Sequence, residues 1–242
     1  MTLIRCSLLS SFIFLLPALL AGQSIKIDSL KTALGHARAD SNKVHILNAL
    51  SGAVLQSQPD RALRYGKEAR ALANRLRFYR GLTEAYYGIA AAYKAGNDIE
   101  KARTFFYKCM KCAENNHQEY WIARALEGLG NTASQMNDGP AGVGYFAESI
   151  RRFESINDWM AARRAMNALG LLVQENEGMI EQVNSPADVA MALSALADIE
   201  SSSDRHGRAI ELLRRSLHID ETRQDSVAIL HDLQSLAVAF QK

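Results

Sequence analysis

Proline, cysteine and aromatic residues are scarce in this sequence of 242 residues, which contains 4 Pro, 3 Cys and 7% aromatic side chains. Runs of β-branched residues are few, whereas Ala, Leu, Glu, Arg and Lys are abundant. These residues lose little rotamer freedom in a helix, and proline is the residue that most strongly breaks one. The composition therefore argues against a β-rich fold and predicts a chain that is almost entirely helical.

An excess of charge of one sign is also missing. Lys and Arg number 28 and Asp and Glu number 26, so the formal net charge is only +2. A nucleic-acid-binding surface needs clustered basic residues and a larger excess, and we therefore expect no nucleic-acid partner. Hydrophobic residues still make up 48% of the chain, which is enough for a substantial core.

Long apolar runs are absent after the N-terminal segment. There, Arg5 precedes an apolar stretch that Pro17 interrupts, and its continuous part from about Phe12 to Ala21 is shorter than the ~20 residues of a membrane-spanning helix. Small and polar residues follow. This pattern predicts a secretory signal peptide over residues 1–23, with an uncleaved anchor as the alternative. We expect an exported chain, periplasmic or extracellular, without a membrane span in its mature part.

Motifs of catalysis and of metal binding are missing as well. The sequence has no H-E-x-x-H and no G-x-S-x-G, and no set of His, Cys or carboxylates has the spacing of a reactive or metal-binding site. The glycine-rich stretch from Gly139 to Gly144 lacks the strand and the Gly-Lys-Ser/Thr ending of a phosphate-binding loop, which favours a turn. We expect no enzymatic activity, no catalytic residue, no metal and no cofactor.

Self-similarity is what the sequence does contain. Small or apolar residues recur every 40 positions within apolar helical segments, at Leu50, Ala90, Gly130 and Gly170. A second set recurs with the same spacing in the segments that follow, at Ala62, Ala102 and Gly142. Small residues allow two helices to approach closely, and a helical hairpin that cannot bury its own apolar face must stack on its neighbours. The pattern predicts an all-α solenoid of stacked antiparallel hairpins.

The repeat is interrupted once. A fifth hairpin places Ala197 and Ala209 at the two small sites, but Ala197 follows Gly170 by only 27 residues. The second helix of the fourth hairpin must therefore be eroded, and we expect a short irregular turn within residues 177–184. The predicted organisation is a capping helix over residues 24–40 and an array of about five hairpins over residues 41–242, the last of them incomplete.

Cys109 and Cys112 form a C-x-x-C pair near His117. Haem attachment needs a histidine directly after the second cysteine, which is missing, and His117 cannot share one helix face with both sulfurs. Cys109 also occupies the small site held by Ala69 and Ser149, each 40 residues away. We interpret Cys109 as a packing residue and leave open whether the pair is oxidised.

Two stretches carry a family resemblance. They are Ile89-Ala90, Tyr93, Ala102 and Phe106, and then Leu129-Gly130, Ala133, Gly142 and Phe146. This pattern resembles the tetratricopeptide repeat, in a long-linker bacterial variety that follows a signal peptide. Similar repeats form the extracytoplasmic sensor portions of some histidine kinases and regulators. The resemblance implies a superhelix that binds proteins or peptides and specifies no ligand.

The resemblance also implies a binding surface on the first helix of each hairpin, along the concave side. The residues that it places there are Glu84, Tyr87, Arg124, Glu127, Asn131, Arg164, Asn167 and Leu171. Amide and guanidinium groups of this kind suit an extended peptide, and an ordinary polar surface is the alternative.

The predicted function is that of an exported, non-enzymatic scaffold whose concave face binds a protein or peptide. The alternative is a sensory input module that acts with a histidine kinase or a transcriptional regulator. The last segment, residues 225–242, resembles the first helix of a further hairpin and has no polar helix after it. We therefore also predict a dimer or partner contact through this C-terminal helix, with a shortened relative of a longer protein as the alternative.

Overall fold

The computed structural model describes residues 27–241, and in this part of the chain the regular elements are all helices. The predicted signal peptide, residues 1–23, and the first residues of the predicted capping helix lie outside the described residues. The chain divides into two compact units between Asp98 and Ile99.

The first unit contains α1, which covers residues 27–36, and then α2 (Ser41–Val54), α3 (Pro59–Arg75) and α4 (Tyr79–Ala95). The second unit contains α5 (Ile99–Asn115), α6 (Glu119–Gln135), α7 (Gly139–Ser155) and α8 (Trp159–Glu175), then a 3-10 helix (Glu177–Gln182), and α9 (Pro186–Ser202), α10 (His206–Arg223) and α11 (Ser226–Phe240).

The turns that end these helices are nearly identical. Helices α3 to α8 each have 17 residues. After each of α3 to α7 one residue has a positive φ, and these residues are Arg77, Asn97, His117, Asn137 and Asn157. The next N–H bonds back to a carbonyl five residues earlier, for example Asp138 N to Ala133 O at 2.9 Å. This is the Schellman ending of a helix, and it divides the 40-residue repeat into two equal halves.

Consecutive helices pack in pairs, as the spacing predicts. Ala62, Ala90 and Ala102 are fully buried. At Gly130 a Cβ atom would lie 3.0 Å from the Phe146 ring, so the absence of a side chain allows α6 and α7 to approach. The predicted all-α solenoid class is confirmed.

The small site of the second helices is also confirmed. Cys109 is fully buried on α5, which agrees with its interpretation as a packing residue. In α7 the same site holds Ser149, whose hydroxyl donates to Ala123 O at 2.9 Å. In α10 it holds Ser216, whose hydroxyl donates to Ala190 O at 3.0 Å. Because the two bonds are equivalent, α9 and α10 form a repeat hairpin despite the shortened spacing before them.

The irregular fourth repeat lies where it was predicted. In place of a second helix, α8 is followed by the 3-10 helix, which buries Met179 and Ile180 in the core of this unit. Helix α9 then packs directly against α8, and a Cβ atom on Gly170 would lie 2.5 Å from the carbonyl oxygen of Ala195. Arg151 of α7 also donates to Asp188 of α9 at 2.8 Å.

At the start of the first unit, Ile27 packs against a cluster of Val54, Ala62 and Ala92. The predicted boundaries of the capping helix and of the array stay predictions. Within residues 27–241, none of the helices combines the length and the apolar character needed to cross a bilayer.

Candidate functional site

In the first unit, the predicted site residue Glu84 forms the centre of a polar cluster on α2 and α4. Asn48 donates its side-chain amide to the Glu84 carboxylate at 3.3 Å and to Gly81 O at 3.0 Å. His45 Nδ1 lies 3.6 Å and Arg80 Nε 3.7 Å from the same carboxylate. Tyr87, the other predicted residue here, is half-buried one turn further along α4. Glu84 is therefore already engaged by side chains of its own unit.

In the second unit, three predicted residues form an Arg-Glu-Arg cluster between α6 and α8. Arg124 donates to Glu127 Oε2 at 2.8 Å, and Arg164 donates to both oxygens of Glu127 at 2.8 and 3.1 Å. Glu127 is only 8% exposed, whereas the Arg164 side chain is 51% exposed. The Arg164 guanidinium also lies 6.0 Å from the centre of the Phe153 ring. One face of Arg164 is thus held in place while the rest reaches solvent.

The remaining predicted residues flank this cluster. Asn131 donates to the backbone carbonyl of Glu127 at 2.7 Å. Asn167 and Leu171 are exposed on α8, Leu171 to 52%. We call these six residues the α6–α8 face: Arg124, Glu127, Asn131, Arg164, Asn167 and Leu171. Its two arginines and one glutamate leave it with one net positive charge.

The positions of Arg164, Asn167 and Leu171 on α8 have counterparts on α9 and α11, which the sequence analysis did not identify. The residues that precede α8, α9 and α11 are Asp158, Ser185 and Asp225. The side chain of each accepts a hydrogen bond from a backbone N–H in the first turn of its helix. These three residues are separated by 27 and then by 40 residues. Applied to Arg164, Asn167 and Leu171, these offsets give Met191, Ser194 and Asp198 on α9, and His231, Gln234 and Val238 on α11. The shortened spacing was visible in the sequence and could have identified them.

A cleft opens between α9, α10 and α11 at these positions. Its volume is about 230 Å³. The polar lining comes from Asp198 and Ser201 on α9 and from His231, Gln234 and Ser235 on α11. The apolar lining comes from Ala197, Leu213, Val238 and Ala239.

The ionisable groups around the cleft influence one another. The pKa of His231 is raised, first by its contact with the Asp232 carboxylate, whose Oδ1 lies 3.7 Å from Nδ1, and then by the negative charges of Asp198 and Glu154. The surrounding protein partly desolvates Asp198 and Glu154, which raises the pKa of both carboxyl groups although His231 opposes the change.

Behind the cleft, Asp232 lies almost completely buried, with 2% of its surface exposed. Ser194 donates to Asp232 Oδ1 at 2.7 Å and lies 3.0 Å from the Ser216 hydroxyl. Asp232 Oδ2 is buried and accepts no hydrogen bond from residues 27–241. By the same offsets, Asp232 replaces the buried alanines Ala165 and Ala192 of the preceding first helices, so this polar network is a departure from the repeat.

Within the described part of the chain, no three His, Cys, Asp or Glu side chains come together in a way that could hold a metal ion.

No family model and no curated protein matches this sequence. Solved structures do resemble it. BtubC (BKLC) from P. vanneervenii is 18% identical with a TM-score of 0.56, and the match covers 85% of this chain and 91% of that one. A Rap protein in complex with competence and sporulation factor is 18% identical with a TM-score of 0.59, over 91% of this chain and 70% of that one.

The chain has the tetratricopeptide-repeat fold. A third structure, YrrB, described as a TPR protein with an unusual peptide-binding site, is 19% identical with a TM-score of 0.46, and covers 86% of this chain and 99% of that one. Likeness at this level of identity concerns the fold, and tetratricopeptide folds serve many different partners. The chain is thus a helical-repeat protein.

Proposed function

We propose that this protein is an exported, non-enzymatic scaffold that binds an extended peptide or a protein segment on the face of its first helices, which we expect to be concave. The observation that supports this most is the α6–α8 face, where Arg164 is half exposed and carries net positive charge to solvent. A guanidinium that is already oriented by Glu127 and Phe153 loses little freedom when it binds an acidic group. The near-balance of charge favours a protein partner over nucleic acid.

The site itself can be tested by capture from an envelope fraction with immobilised protein. We expect the Arg124→Ala, Arg164→Ala double variant to lose at least about tenfold in affinity for the captured partner, since each charge-assisted hydrogen bond contributes about 1.5–3 kcal/mol. Isothermal titration with the purified partner measures this.

A matched control removes two cations from the second helix α5 instead, as Arg103→Ala with Lys111→Ala, and should bind as well as the wild type. The single variant Arg164→Ala leaves Glu127 paired with Arg124, which separates a loss of binding from a loss of folding. Unchanged binding in both Arg164 variants would contradict the proposed face.

Export rests on the N-terminal segment. We propose a periplasmic or extracellular location after removal of residues 1–23. Sequencing the N-terminus of protein recovered from the envelope or the medium tests this, and an intact Met1 would contradict cleavage.

A sensory input module is the second candidate. The Rap structure, solved with competence and sporulation factor bound, favours it as an example of a similar fold that holds a partner. In this case, binding of the ligand would alter the activity of a histidine kinase or of a transcriptional regulator. A kinase or regulator encoded beside this chain supports the sensor, whereas structural envelope proteins as stable partners support the scaffold.

We further propose that α11 contacts a second copy of the chain or a partner. Several large apolar side chains of this helix are exposed to solvent, although side chains of this kind are normally covered by a neighbouring helix. They are Val227, Leu230, Leu233, Val238 and Phe240. For a dimer, sedimentation velocity should show concentration-dependent association that Leu230→Glu abolishes. The control Leu171→Glu changes a similarly exposed leucine on α8 and should leave association intact. A wild-type chain that stays monomeric would contradict the dimer, and capture with Leu230→Glu would then test the partner.

A further inference from the structure

The cleft between α9 and α11 has the shape and chemistry for one kind of side chain. Its buried lining is apolar and consists of Ala197, Leu213 and Ala239, and Val238 lies exposed at its edge. Its mouth carries Asp198, Ser201 and Gln234, whose oxygens accept hydrogen bonds. A lysine or arginine side chain has the same division, with an aliphatic stem and a charged head that donates hydrogen bonds.

The charges of the cleft agree with this. Its lining contains one carboxylate, Asp198, and one imidazole, His231, and no lysine or arginine. Arg163 of α8 and His231 both act on the Asp198 carboxylate, yet its pKa is raised because desolvation outweighs them. A partly desolvated carboxylate is stabilised by an added cation.

We propose that this cleft takes the lysine or arginine side chain of a bound peptide, with the head at Asp198 and the stem along Leu213 and Val238. The inference rests on the proposed function, since the peptide reaches the cleft from the α6–α8 face. Asp198 lies on α9, which packs about 8–10 Å from α8, and it is seven residues beyond Met191, the counterpart of Arg164, which adds about 10 Å along the helix axis. Arg164 and Asp198 are therefore roughly 14 Å apart, and an extended chain covers about 3.3 Å per residue. The preferred peptide therefore has a basic residue about four positions from an acidic one.

The cleft can be tested with a small probe. In an NMR titration of the ¹⁵N-labelled chain, Nα-acetyl-arginine amide should give saturable shifts at the amides of Gln234 and Ser235. The uncharged isostere Nα-acetyl-citrulline amide should bind at least fivefold more weakly. Asp198→Asn should weaken binding of the arginine probe to a similar degree. Asp204→Asn, which changes a 97% exposed carboxylate in the turn after α9, should have no effect.

Equal binding of the two probes, or arginine binding that Asp198→Asn leaves unchanged, would overturn the proposal. Failure of the cleft and failure of the proposed function give different results. If Arg164→Ala abolishes partner binding and Asp198→Asn does not affect it, the scaffold function stands and the cleft assignment is wrong. If the arginine probe binds the cleft and Arg164→Ala leaves partner binding intact, the cleft stands and the α6–α8 face is wrong.

Discussion

Replacing Gly170 by alanine should lower the free energy of unfolding by about 2–3 kcal/mol. The new Cβ would lie 2.5 Å from the Ala195 carbonyl oxygen and 2.9 Å from Cγ1 of Ile199. Because the closest atom belongs to the backbone, α9 itself must move away from α8. Overpacking typically costs about 1–3 kcal/mol and occasionally more, and we expect about 3–4 kcal/mol here because a backbone atom blocks the new Cβ. The helix propensity of alanine returns only about 1 kcal/mol of this cost. Urea unfolding followed by circular dichroism measures the change.

Gly207→Ala is the matched control in the same unit. Apart from its chain neighbours and the adjacent backbone of its own helix, no atom of the described residues lies within 4 Å of a Cβ at Gly207, which is in the first turn of α10. This variant should leave stability unchanged or raise it by up to about 1 kcal/mol. If Gly170→Ala were as stable as Gly207→Ala, α9 would not pack against α8 as closely as described.

Replacing Glu127 by alanine should have a comparable effect, a loss of about 2–3 kcal/mol. Glu127 is almost buried and accepts from two guanidinium groups, so its removal leaves Arg124 and Arg164 close together without their shared carboxylate. Breaking a fully buried ion pair costs about 3–5 kcal/mol. We expect less here because solvent reaches half of the Arg164 side chain. The loss should be larger at low salt, where repulsion between the arginines is screened less.

The control is Glu114→Ala. Lys111 and Glu114 have the same three-residue spacing on α5 and the same N–O distance of 2.8 Å as Arg124 and Glu127, but both side chains are well exposed. This change should leave the midpoint of urea unfolding unaltered. Similar losses in the two variants would mean that the Glu127 cluster is no more than a surface ion pair.

The repeat could be predicted from the sequence because its packing residues are local and periodic. Ala62, Ala90 and Ala102 are buried where the 40-residue spacing placed them. The interruption was also predictable, since the displacement of Ala197 left too few residues for a second helix. The 20-residue half-repeat was missed, because its signal is the left-handed conformation of unlike residues such as Arg77 and His117, which share a backbone angle and no side-chain type.

The candidate site was predictable as a list of positions and unpredictable as an arrangement. The sequence named Arg124, Glu127 and Arg164 as separate positions, and the structure brings their side chains together. The sequence did not show that Glu127 turns inward and accepts from both arginines, because that depends on how closely α6 approaches α8. The cleft was missed for a related reason: its polar lining comes from α9 and α11, beyond the point where the spacing changes.

Sequence alone thus determined the helical repeat, its period and the place of its interruption, because each depends on residue sizes recurring along one chain. Tertiary structure decided what meets Gly170, whose own hairpin was predicted to lack a full second helix. With that helix reduced to a 3-10 turn, the carbonyl of Ala195 fills the space. The tertiary structure also brings Arg164 to Glu127, which is 37 residues away in the sequence, and it forms the cleft beside His231. Contacts of this kind follow from the distances between packed helices, and periodicity carries no information about them.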